Sequence, residues 1–161
     1  MAISNSMKLP ARAGRVGFSF DSPEFQATKF AAVWMTDDDH GPMAVCIELP
    51  PDILSAAHHH ESEYVLVVLA GSIRAGRKWY QAGQIYVQDR ETVYGPTLVG
   101  PEGLRAVLFF ADRQGLPDQF AKAADRAMYG EAMVQLKRFA KREIDFPGFG
   151  GELDDEPLVK A

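Results

Sequence analysis

Between Phe25 and Leu116 the chain breaks into eight short β-prone runs separated by Gly, Pro and Asp, and this punctuation leaves little choice of architecture. The runs are Phe30 to Met35, Met43 to Leu49, Tyr64 to Leu69, Ser72 to Ala75, Lys78 to Tyr80, Gln84 to Gln88, Thr97 to Val99 and Leu104 to Ala111. Short strands at such spacing are the pattern of an antiparallel sandwich or barrel, and eight of them fill two facing sheets. Turns are expected at Asp37 to Pro42, Pro50-Pro51-Asp52, Ala75-Gly76-Arg77, Ala82-Gly83 and Gly100-Pro101-Glu102-Gly103. Each supplies a residue that fixes φ or tolerates positive φ. The acidic triple Asp37-Asp38-Asp39 lacks the later ligands of a calcium loop and reads as a solvated turn.

After Gly115 the pattern becomes helical. Pro117 followed by Asp118 is a start signal, Phe120, Ala124, Ala127 and Met128 predict one apolar face, and Gly130 predicts an interruption. Met133, Leu136 and Phe139 to Ala140 predict a second stripe that ends before Pro147. The chain thus divides into an amino-terminal arm, 1–24, a barrel, 25–116, and a carboxyl-terminal helical segment and tail, 117–161. Phe18 and Phe20 in the arm, and Phe146 and Phe149 in the tail, are apolar residues suited to arms exchanged between two copies.

At 161 residues this is one domain, able to bury a core without staples. No apolar run approaches the roughly 20 residues that span a bilayer. Met1 to Val16 lacks the apolar block and small-residue cleavage site of a secretory signal, so the expected compartment is the cytoplasm. Net charge of -5 leaves no broad positive field, which excludes nucleic acid as an expected partner. Lys137, Arg138, Lys141 and Arg142 read as the solvated face of a helix. The single cysteine, Cys46, rules out an intrachain disulfide and reads as a buried, inert thiol.

The residues that promise chemistry are three consecutive histidines, His58, His59 and His60, gathered before the apolar run Tyr64 to Leu69. On an extended backbone His58 and His60 share a face while His59 points away, so two imidazoles can meet one ion. The alternative is a solvated polar loop, which would gain charge near pH 6.5.

The segment from Leu49 to Ala111 resembles the cupin superfamily, an RmlC-like jelly roll or double-stranded β-helix. The likeness is carried by Pro50-Pro51, His58-x-His60, Val65 to Gly71, Gly83-Gln84-Ile85-Tyr86-Val87, Gly95-Pro96 and Gly100-Pro101-Glu102-Gly103. The resemblance implies an all-β barrel in which two histidines and a glutamate of a first motif, and a histidine of a second, converge on a divalent metal. His58 and His60 match the first motif. Glu63 is the candidate carboxylate, one residue earlier than the family's spacing places it; Tyr64 fills the expected slot, and Glu61 is a further candidate.

The second motif is degraded. Tyr94 stands where the third histidine is expected, Asp89, Glu91 and Leu98 replace other motif residues, and the only histidine outside the tract is His40. Either a reduced site holds iron, zinc, manganese or nickel with His58, His60, a carboxylate and Tyr94 or His40, or the metal is lost and the barrel binds something else. The first alternative implies a metal-dependent, dioxygenase-like oxidoreductase acting on a small enolisable or aromatic compound. The second implies a small-ligand-binding or sensor barrel without turnover. A metal-free isomerase with His60 as base and Tyr94 as acid is a third and weaker option. The expected partners are a small molecule and a second copy of the chain, because an open sheet edge invites pairing; neither nucleic acid nor membrane is expected.

Overall fold

The computed structural model describes residues 29–36, 40–141 and 143. The arm, the acidic triple Asp37-Asp38-Asp39, Phe146, Phe149 and the acidic tail lie outside the described residues.

Nine strands and one helix account for most of the described chain. The strands are β1 (Lys29–Trp34), β2 (Met43–Leu49), β3 (Leu54–Ser55), β4 (His58–His59), β5 (Tyr64–Ala75), β6 (Lys78–Gln81), β7 (Ile85–Gln88), β8 (Thr97–Phe110) and β9 (Gln119–Phe120). The helix is α1 (Ala123–Ala140), preceded by a 3-10 turn at Arg113–Gly115. All pairings are antiparallel, giving an all-β jelly roll.

Two long strands hold the barrel together, because each changes partner along its length. The first half of β5 pairs with β7 and its second half with β6. Likewise β8 pairs with β3 at its start and with β2 at its end, while running beside β5 throughout. Register shifts between Val68 and Ala70 and between Gly71 and Ile73 bend β5 so that one ladder serves two facing sheets. Gly71 sits at the bend with φ of 71°, and a Cβ there would collide with the Gly103 carbonyl.

The runs Tyr64 to Leu69 and Ser72 to Ala75 are therefore one strand, as are Thr97 to Val99 and Leu104 to Ala111. Gly100-Pro101-Glu102-Gly103, expected as a turn, is a bulge within β8. Alternation sets the core: Tyr64, Leu66 and Val68 of β5 point inward with Met43 and Val45 of β2 and Leu104, Ala106 and Phe110 of β8.

The helix differs from expectation at both marked positions. It begins at Ala123, since Pro117-Asp118 leads into β9, and it runs through Gly130 without a break. Its packing explains why: Leu136, Phe139 and Ala140 are buried against the barrel core, and tertiary burial outweighs the roughly 1 kcal/mol cost of a helical glycine. The fully buried Arg113 pins the helix end, its Nε donating to the Ala140 carbonyl at 3.0 Å. A cation at a helix C-terminus also meets the negative end of the helix dipole.

Candidate metal centre

His58 lies in β4, which is only two residues long but is held on both sides. Across one edge it exchanges backbone hydrogen bonds with Tyr94, His58 N to Tyr94 O at 3.0 Å and Tyr94 N to His58 O at 2.9 Å. Across the other it pairs with Phe120 of β9, and His59 pairs with Gln119. Continued by one more step, this antiparallel register sets Asp118 opposite His60. Alternation then turns His58 and His60 inward, each 5% exposed.

Both imidazoles are oriented by backbone carbonyls. Nδ1 of His58 donates to Ala56 O at 2.7 Å and Nδ1 of His60 donates to Gly115 O at 2.9 Å. A carbonyl only accepts, so the ring proton sits on Nδ1 and the Nε2 lone pair of each neutral ring is left for the cavity. Burial holds the His60 pKa down to about 4, against a partial opposing pull from Asp118. His60 is therefore a neutral donor at physiological pH.

Asp118 supplies the carboxylate. Its Oδ1 lies 3.5 Å from Nε2 of His60 and 3.7 Å from Nε2 of His58, and the three ligand atoms lie within 4.8 Å of one another. Atoms bound to one ion at 2.0–2.2 Å stand about 3.0 to 3.5 Å apart at octahedral to tetrahedral angles, so a small contraction brings this set into coordination. Two imidazoles and a carboxylate on one side of an ion, with positions left open, are a donor set suited to ferrous iron and to zinc or manganese.

Glu63 is not part of this cluster. It is exposed, and β5 turns Tyr64 inward at the next position, the consequence of a period-2 strand with no bulge between them. Glu61 is exposed as well. His40 is on the surface, its side chain 75% exposed and bonded to Asp112 at 2.9 Å. Tyr94 does enter the site, and its hydroxyl lies 2.7 Å from Nε2 of His58. Since that nitrogen carries no proton, the phenol donates. Desolvation and the neighbouring Tyr64 and Asp118 raise the Tyr94 pKa well above its usual value, so it is a neutral hydroxyl.

Asp118 carries no local motif. Its neighbour Pro117 imitates a helix start, and the one available signal is that an apolar Phe120 follows it at strand spacing.

The cluster opens on a cavity of about 200 Å³ inside the barrel. Its walls are mostly aliphatic and aromatic, with Ile47, Leu66, Leu108 and Phe110 from the sheets and Tyr129, Met133 and Leu136 from α1. The helix also steadies the carboxylate, because the Asp118 backbone N–H donates to Sδ of Met133 at 3.2 Å.

No family model and no curated protein matches the sequence. Solved structures do match. An RmlC-like cupin from Shewanella frigidimarina superposes with a TM-score of 0.51 at 18% identity, over 68% of this chain and 91% of its own. The chain has the cupin fold. The polyketide cyclase RemF from Streptomyces resistomycificus matches with a TM-score of 0.50 at 19% identity, over 68% of this chain and 81% of its own. Within the cupin frame, Tyr94 occupies the position expected for a third histidine, and Asp118 lies beyond the barrel segment that carries the resemblance. Among the described residues no helix is long and apolar enough to cross a membrane.

Proposed function

We propose that His58, His60 and Asp118 bind one divalent transition metal, and that the barrel is a metal-dependent, dioxygenase-like enzyme acting on a small organic substrate. The observation that carries this is the convergence of two Nε2 lone pairs and one carboxylate oxygen at the floor of a largely apolar cavity. When bound, such an ion supplies Lewis acidity and, if it is iron or manganese, redox chemistry. The chain itself orients the donors through Ala56 O and Gly115 O, keeps His60 unprotonated by burial, lines the cavity with apolar α1 side chains, and offers the Tyr94 hydroxyl as a hydrogen-bond donor at the site.

Protein purified without an affinity tag should contain close to one metal per chain, and the double variant His58→Ala, His60→Ala should contain none. Equal trace metal in both overturns the reading. Oxygen uptake with catechols or β-diketones by the iron-loaded protein separates turnover from binding.

A ligand-binding barrel without turnover is the second reading, favoured by one contact: the Tyr94 hydroxyl caps the His58 lone pair. Ligand binding that is unchanged by chelation, with no oxygen uptake, would select it.

We also propose a homodimer. Ile85, Val87 and Phe109 are exposed, and the register runs Val87 beside Val65 and Val65 beside Phe109, an apolar row on the outer sheet face that a second copy would cover. Sedimentation should give the mass of two chains, and Val87→Lys that of one. A wild-type protein that sediments as a single chain overturns this.

A further inference from the structure

The cavity has a charge character as well as a shape. Among the described residues that line it, Asp118 is the one carboxylate, and no lysine or arginine reaches its wall. Polar groups are confined to the floor, where His58, His60, Tyr64 and Tyr94 cluster, and to Ser55, Thr97, Tyr86 and Tyr129. The remaining surface is hydrocarbon.

An anionic group held away from the floor would lose its hydration and meet scattered hydroxyls but no cation to offset that loss. Asp118 adds a repulsion. Two basic side chains of the sheets that neighbour wall residues are engaged elsewhere: Arg74 stands between the wall residues Ile73 and Ala75 and stacks on Trp79, 5.8 Å from the ring centroid. Arg105 pairs with Glu48 at 3.5 Å. The cavity, about 200 Å³, has room for one ring with a short substituent.

From this we infer that the ligand is a single-ring, uncharged compound that puts oxygen donors on the metal and a hydrocarbon end against the aliphatic wall, so that analogues carrying a carboxylate at that end are rejected. The part of this that concerns donors on the metal rests on the metal-site reading above; the preference for a neutral distal end rests on the wall alone.

Two probes isolate the distal group. 4-Methylcatechol and 3,4-dihydroxybenzoate share the ring and the chelating diol and differ only in methyl against carboxylate. Titrations by calorimetry into zinc-loaded and metal-free protein, with zinc content measured on the same samples, should show 4-methylcatechol binding at least tenfold more tightly in whichever form binds. Equal affinity, a preference for the acid, or no binding of either probe to either form overturns the inference. Failure of zinc to load overturns the metal reading by itself, and the preference is then read from the metal-free titration. Leu54 lines the cavity yet is 57% exposed, so Leu54→Arg places a cation at the rim without burying it. It should shrink the discrimination about tenfold, and an unchanged ratio in the folded variant would show that wall charge does not set selectivity.

Discussion

The Tyr94 hydroxyl donates to Nε2 of His58 at 2.7 Å, the same lone pair that a metal would need. Metal entry therefore has to displace a made hydrogen bond whose net worth is about 0.5–1.5 kcal/mol. Tyr94→Phe should bind zinc roughly two- to tenfold more tightly by competition with a chromophoric chelator. Weaker binding would instead make the phenol oxygen a ligand.

Asp118 and Glu63 give opposite expectations. Loss of a residue that only orients a ligand costs about 10–100-fold in metal affinity, so Asp118→Ala should exceed that, while Glu63→Ala should leave affinity unchanged. Comparable losses in the two variants would return the carboxylate role to the segment between β4 and β5.

Acid should loosen the metal-free fold through His60. Its folded pKa of about 4 lies below the usual 6.5, so the unfolded chain binds the extra proton first. Stability is full above about pH 6.5 and falls as pH drops toward 4, by roughly 3 kcal/mol from this group. His60→Gln should flatten that part of the melting-temperature profile between pH 6.5 and 4. A profile with the same slope as wild type would assign the acid sensitivity to other groups.

Arg113 is fully buried and its Nε bonds to Ala140 O, so Arg113→Met leaves that carbonyl without its donor. A loss of about 2–4 kcal/mol in urea unfolding is expected. The barrel register around His58 is independent of this contact, and circular dichroism of the sheet should be unchanged.

Much of the fold is legible in the chain because strand alternation is local. Met43 to Leu49 forms β2 with the expected limits, and Gly76 and Gly83, both at positive φ, mark the turns that join β5 to β6 and β6 to β7. The two-residue strands escape such reading: β3, β4 and β9 exist only because β8, Tyr94 and each other supply the hydrogen bonds. The same limit governs the site. His58 and His60 are visible as i, i+2 neighbours, and Tyr94 follows from motif position, but Asp118 is brought in by a pairing between segments sixty residues apart. Glu63, by contrast, is close in sequence and on the wrong side of the strand.

The Met133 sulfur that receives the Asp118 amide sits on the same helix whose Tyr129, Met133 and Leu136 roof the cavity. A shift of that roof pulls on the aspartate through the sulfur, so the cavity wall and the grip on the ion are mechanically joined. A guest that settles beneath the helix would, by the same coupling, tighten the hold on its ion.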